Sequence, residues 1–429
     1  MKVLKSINIY FFKKRYLMRK ACLIYLKEKV RNCLFQNKYY LSEMTMRKVV
    51  LFLIFLLPVS LLLAQSSFIN HHLTKPAPAD IKATIQTINL YNNLTRLLNK
   101  GIMIGHQDDL AYGVGWKYVP GKSDVKEITG DYPAVYGWEL GNLELGLGHN
   151  LDSVPFTKMK QFIRQGYERG GVITISWHSS NPLTAKSAWD TTHGGVEAVL
   201  PGGNKHELDK EWLDKLASFM LSLKGRKGEL IPILFRPYHE LTGNWFWWTK
   251  NTCTAEDFKQ LWRFTVDYLW NDKKVHNLLY VYNTADFSDK NDFLKRYPGD
   301  DYVDVISFDA YQFGDPNSND AFVKNVDYRL GIIEEVAKER NKIPAFAETG
   351  YEAIPYAEWW TKTLWKVIAN HKISYVLLWR NAGLLSSGKC HYYIPQKGDT
   401  SEKDFKKFYN LDKTLFEKDV AKEKLYNSN

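Results

Sequence analysis

Cysteine is nearly missing from this chain: four occur in 429 residues, and Cys22 and Cys33 lie within the first 64. Cys253 and Cys390 remain, too far apart in sequence for metal-ligand spacing, so one disulfide is the arithmetic maximum and two free thiols are equally compatible. Low-complexity segments and sequence repeats are also lacking. With 45% hydrophobic and 24% charged residues, wholesale disorder is excluded and a sizeable core is possible. Net charge is missing where it would matter. The formal +11 comes from 58 Lys and Arg against 47 Asp and Glu, but residues 1–64 hold 13 of the bases and two of the acids. That leaves 45 of each sign in 65–429, which excludes an electrostatic case for nucleic acid or acidic surfaces.

The leader has no apolar run long enough for a span. Val49–Ala64 is 16 uncharged residues preceded by Arg47 and Lys48, whereas about 20 are needed to cross a bilayer. A basic flank, a short apolar run and a small residue at its exit read as a secretory signal cut near Ala64. Export to the periplasm or the medium is therefore expected, with no stable membrane span. Met44 and Met46 each offer a start for such a signal, so the stretch before them carries no fold argument. Residues 65–79, with Pro76 and Pro78, read as a linker into a domain at 80–429.

Within that domain, short apolar runs ending in polar or aromatic residues recur eight times: Ile102–His106, Ala134–Glu139, Val172–His178, Pro232–Glu240, Leu278–Asn283, Val303–Tyr311, Ile343–Glu348 and Tyr375–Arg380. Helix-like stretches separate several of them, at Pro155–Arg169, Glu211–Leu223, Ala255–Trp270, Ala321–Arg340 and Tyr356–His371. In the second, Trp212, Leu213, Leu216, Phe219, Met220 and Leu223 recur at helical spacing. Eight alternations in about 300 residues predict a single (β/α)₈ TIM barrel. A doubly wound open sheet is the alternative, but no G-x-G-x-x-G follows the first run.

Barrel active sites form at the C-terminal ends of the strands. Here those ends offer His106, Glu139, Trp177-His178, Arg236 to Glu240, Asn283, Asp309 to Tyr311, Glu348 and Trp379-Arg380. One charge at a strand exit usually marks only its entry into water. Acids, histidines and indoles gathered at eight exits point to a polar pocket with stacking surfaces. Indole faces pack on the C–H faces of sugar rings, and acids and amides bind hydroxyls, so the pocket reads as a carbohydrate site.

Two segments carry the chemistry. In Phe235-Arg236-Pro237-Tyr238-His239-Glu240-Leu241-Thr242-Gly243-Asn244-Trp245-Phe246-Trp247-Trp248, an acid lies among Arg, His and Trp. The H-E-x-x-H zinc motif fails because Gly243 stands where the second histidine is required. In Ile343-Pro344-Ala345-Phe346-Ala347-Glu348-Thr349-Gly350, an apolar run ends in a carboxylate and a turn glycine. Runs four and seven can set Glu240 and Glu348 across the mouth from each other, and paired carboxylates over a sugar are the equipment of glycoside hydrolysis. Asp315 to Asp320 only superficially resembles a calcium loop, since Asp320 and Val326 replace the required glycine and glutamate. No metal and no cofactor is expected.

At these residues the chain resembles the family 26 glycoside hydrolases, chiefly β-1,4-mannanases, over roughly 80–385. R-P-Y-H-E-x-x-G-x-W-F-W-W at 236–248 carries most of the likeness, and Gly105-His106-Gln107 adds to it. The resemblance implies a barrel whose catalytic glutamates end strands four and seven, with Glu240 as general acid/base and Glu348 as nucleophile of a retaining mechanism. It further implies substrate contacts for His178, His239, Trp245, Tyr311, Trp379 and Arg380, with Arg236 and Trp177 in support. The implied partners are β-mannan or manno-oligosaccharides, met by a monomer. Two other readings stay open: the same fold acting on xylan or mixed-linkage β-glucan, and a sugar-binding protein without turnover. The loops Ala111–Asp131, Asn142–Asp152 and Asn181–Asn204 are candidates for walls that set endo or exo action.

Overall fold

The structure, a computed structural model, describes residues 77–385 and 388–428. The expected leader and nearly all of the linker lie outside them. Among the described residues no helix is long and apolar enough to cross a membrane.

Eight parallel strands close into a ring: β1 (Ile102–Gln107), β2 (Val135–Glu139), β3 (Val172–Trp177), β4 (Ile233–Pro237), β5 (Leu278–Thr284), β6 (Val305–Gln312), β7 (Ile343–Tyr351) and β8 (Tyr375–Leu378). Each pairs with its neighbour in chain order, and β8 closes on β1 from Met103↔Tyr375 to His106↔Leu378. All eight predicted runs are strands of this barrel. The short strand Thr414–Leu415 adds a parallel pairing at the base of β1.

Period-two alternation builds two cores. Ile104, Ile173, Ile175, Ile233, Phe235, Tyr280, Ile306, Phe308, Phe346 and Val376 join the helices in an outer cluster. Met103, Val135, Val172, Leu234, Leu279, Val281, Val305, Ala345 and Leu377 form an inner one. Leu90, Tyr91, Leu94 and Leu97 of the helix Ile85–Leu97 belong to that inner core, so this helix stoppers the ring. Its apolar stripe is diluted by Thr and Asn, and the sequence reading had not singled it out. Two predicted helices change pitch: Ala255–Asp267 runs into a π turn at Tyr268–Asp272, and the eighth-run helix is a π turn at Trp360–Leu364 followed by Trp365–Ile368.

The helix His206–Ser222, longer at its start than the predicted Glu211–Leu223, buries the carboxyl of Asp209, and one of its oxygens has no partner. Burial pushes this group up to about 7. Because the folded value lies above the unfolded one, the carboxyl is accommodated free of charge at low pH. The penalty for ionising it grows as pH rises from about 4 to about 7. Asp209→Asn is therefore expected to raise Tm at pH 8, by the equivalent of a few kcal/mol, with the difference fading at pH 5. Thermal unfolding at the two pH values checks it, and an equal shift at both would contradict it.

Candidate active site

The alternation that fills the lower barrel with aliphatic groups also carries polar ones to its mouth. Continuing inward along each strand, Val135 leads to Glu139, Leu234 to Arg236, Val281 to Asn283 and Val305 to Ser307 and Asp309. On β7 the pattern would turn Glu348 outward, since Ile343, Ala345 and Ala347 are already inside. A bulge intervenes: Phe308 pairs with Phe346, but Asp309 pairs with Glu348. The extra residue re-aims the strand and delivers Glu348 into the mouth.

Glu240 arrives differently. Pro237 ends β4, as expected of a residue that cannot donate to the ladder. The three residues after it form a turn in place of the predicted continuation of the strand, with Tyr238 and Glu240 in left-handed backbone conformations at φ 52° and 53°. Left-handed backbone is costly for residues with a Cβ. The turn is held by Tyr238, whose hydroxyl shares a 2.9 Å hydrogen bond with Thr265, and by the Trp248 indole, which donates to the His239 carbonyl at 2.8 Å.

Glu240, Asp309 and Glu348 meet here, with one oxygen of each within 4.8 Å of the others. Their surroundings differ. Glu348, 3% exposed, accepts hydrogen bonds from Arg236 and, at 2.8 Å, from the Tyr311 hydroxyl. Arg236 is fully buried and also reaches Asn283 at 3.1 Å and Asp309 at 3.4 Å. Burial works against its charge, but Glu348 and Asp309 overcome this and raise its pKa. Burial and then the charge of Glu348 drive Asp309 well above the usual carboxylate range. Tyr311 is raised well above its usual value by burial and by Glu348, and so remains a phenol able to donate. Half-buried Glu240 receives the Trp245 indole N–H at 2.6 Å. Loss of solvent, followed by repulsion from Glu348, pushes it up to about 7 despite that bond. The three oxygens have the spacing of cation ligands. Yet the buried guanidinium already sits against two of the three carboxylates, and a cation would have to share that charge-balanced space with it.

A second group stands beside the first. His178 follows β3 and bonds Glu139 through Nδ1 at 2.7 Å and His239 through Nε2 at 3.1 Å. Burial opposes the charge of Glu139, but His178, Ser176 and the His178 backbone N–H hold it down at about 2. Burial likewise opposes charge on His178, which Glu139 outweighs to raise it, while burial and the charge of His178 depress His239 well below an ordinary histidine. The directions fit a cationic His178 donating to a neutral His239. His239 is 1% exposed and packs against His178, with Phe246 and Trp248 also beside its ring. Trp177 is also buried, giving its indole N–H to Glu144 at 3.1 Å.

Trp379 and Arg380 follow β8, both half-buried. Arg380 pairs with Asp152 at 3.1 Å and approaches the Tyr112 hydroxyl at 3.5 Å, which itself donates to Asp108 at 2.6 Å. The loops after β1 and β2, two of the three candidate walls, therefore converge on Arg380. The third supplies Trp189, 52% exposed and stacked on His178 with centroids 5.0 Å apart and planes at 11°. Glu139, Asn283 and Asp309 are among the strand-exit residues that the sequence offers, though without roles of their own, whereas Asp152 and Trp189 are not singled out there. Trp189 is an indole in a polar glycine-rich stretch, which is a signal for it, while Asp152 has none. Cys253 is buried and both late cysteines are free.

Fold and site together define a barrel glycoside hydrolase. The model of glycosyl hydrolase family 26 matches residues 79–378, and the chain belongs to that family. It is 33% identical over 355 residues to a mannan endo-1,4-β-mannosidase of Bifidobacterium adolescentis, covering 79% of this chain but only 35% of that enzyme's length. The chain thus spans about a third of that relative. The structure of a GH26 β-mannanase from Bacteroides ovatus superimposes with a TM-score of 0.77 at 44% identity, covering 80% of this chain and 98% of the other. The catalytic domain of a Bacillus sp. JAMB-750 GH26 endo-β-1,4-mannanase gives 0.75 at 31% identity, over 82% and 96%.

Proposed function

We propose that the protein is an exported β-mannanase that cleaves β-1,4-mannosidic bonds with retention of configuration and releases mannobiose as its main product. The observation that carries the reading is the approach of Glu240 and Glu348 to within 4.8 Å, oxygen to oxygen. Retaining enzymes place their carboxyls about 5–5.5 Å apart, and inverting ones leave about 6.5–9.5 Å for a water. The likeness to mannanases of Bifidobacterium adolescentis and Bacteroides ovatus supports mannan as the polymer. A secretory leader at Val49–Ala64 suits a substrate too large to enter a cell.

In this reading Glu348, paired with Arg236 and aimed by it and by Tyr311, attacks the anomeric carbon. Glu240 gives its proton to the departing oxygen, and the bond to the leaving sugar breaks. Esterification removes the negative charge of Glu348, one of the two main influences that hold Glu240 up. Glu240 thereby becomes more acidic at the step where it must act as a base. It takes a proton from water, the water oxygen bonds to the anomeric carbon, and Glu348 leaves as carboxylate. Trp245 bonds the carboxyl of Glu240 throughout, while His178, Trp379 and Arg380 hold sugar hydroxyls and faces.

What supports mannobiose release is the Asp152–Arg380 pair, which ties the loop after β2 to the end of β8 and in this reading bounds the cleft on that side of the cut. Mannohexaose is expected to yield mannobiose from the earliest time points. Mixed oligomers from the start would indicate an open endo cleft, and activity confined to xylan or mixed-linkage glucan would overturn the mannan assignment. Binding without turnover would favour a sugar-binding protein.

A further inference from the structure

Phe313 is 76% exposed, immediately after the strand that carries Tyr311. An isolated exposed aromatic is ordinary on a protein surface. This one is held in place by the fold. The indole of Trp359 donates to the Gln312 side-chain oxygen at 2.7 Å, the Gln312 amide donates to Ser318 at 2.9 Å, and the Tyr351 hydroxyl donates to the Gly314 carbonyl at 2.8 Å. Residues on both sides of Phe313 are thus tied down while its ring is left uncovered. The ring also continues the site: its centroid lies 6.3 Å from that of Tyr311, whose hydroxyl bonds Glu348 and whose ring meets Tyr393 at 5.8 Å.

Ring order decides what could cover it. Trp245 follows β4 and Trp379-Arg380 follow β8, strands on opposite sides of the closed ring. A polysaccharide laid between these groups crosses the mouth with β5, β6 and β7 on one flank. Phe313 follows β6, the middle strand of that flank, and so stands beside the main chain and not in line with it. A sugar meeting Phe313 would therefore project sideways from the backbone. In substituted mannans that sugar is galactose, α-linked at O6 of a mannosyl unit. Its axial O4 leaves the C3–C4–C5 hydrogens on one face as an apolar patch suited to an aromatic ring.

We propose that Phe313 is a platform for the galactosyl branch of a galactomannan, seated beside the cleavage site. The proposal rests on the mannanase reading and sharpens its substrate class. Its test compares kcat/KM on galactomannan before and after removal of the branches with α-galactosidase. In Phe313→Ala the ratio of branched to stripped polymer is expected to fall about three- to tenfold, the value of covering one phenyl face. Phe313→Tyr should restore the ratio of the parent enzyme. An unchanged ratio in Phe313→Ala, or a loss equal on both polymers, overturns the proposal, the latter because it would put Phe313 on the main chain. Failure of the parent enzyme on both polymers would strike the mannanase reading instead. With most of the ring in solvent, truncation leaves the barrel core untouched.

Discussion

Glu348→Ala is expected to abolish turnover of mannan, lowering kcat by about four orders of magnitude or more, the scale seen when a covalent nucleophile is removed. The barrel should survive the change. A buried guanidinium stripped of its only anion would cost about 3–5 kcal/mol, but Arg236 also touches Asp309, whose carboxyl is held up in part by the charge of Glu348. With that charge gone, Asp309 ionises more readily and takes over the pairing. Circular dichroism should therefore report a folded protein with almost no activity. Azide, occupying the space of the lost carboxylate, should restore cleavage of mannosides with good leaving groups and give the α-mannosyl azide, inverted relative to the substrate. A variant keeping more than a tenth of kcat would remove Glu348 from the nucleophile's role.

The barrel was readable because each strand had to be apolar on both sides, facing the stopper helix and the inner core on one and the surrounding helices on the other. That leaves runs without a charged residue, such as Val172–Trp177 and Leu278–Thr284, which stand out from polar helix surfaces. The helix Ile85–Leu97 escaped because Asn89 and Asn93 break its stripe. They are buried for a tertiary reason, since each donates to a backbone carbonyl near the C-terminus, at Tyr426 and at Leu425. In the site, both glutamates were legible as residues, but the means that aim them were not. The bulge opposite Asp309 is a register event between two strands, and the left-handed turn at Tyr238–Glu240 depends on Thr265 in a following helix. Pairings such as Glu139 with His178, 39 residues apart, leave no local signature either. His239 illustrates the consequence: motif position gives no sign that its ring bonds His178, a residue 61 positions earlier.

Glu240→Ala is expected to lower kcat/KM on mannan by about 10²- to 10⁴-fold, the usual worth of a positioned general acid. The loss should depend on the leaving group. An aryl mannoside that departs without protonation should form the glycosyl-enzyme nearly as fast as before, and the intermediate should then accumulate because water lacks its base. Azide should rescue this variant with retained configuration, the opposite of its product with Glu348→Ala, so the two roles are told apart by one stereochemical measurement. The pH profile gives a second check. Glu240 must carry its proton to act, and its carboxyl is pushed up to about 7, so kcat/KM of the parent enzyme should fall as pH rises through that value. Trp245 donates to the ionised carboxylate and so lowers its pKa. Trp245→Phe deletes the donor and keeps an aromatic face, and it should move the falling limb to higher pH. In Glu240→Ala the limb should vanish from the residual activity on mannan. If it stays where it was, some other group is the acid.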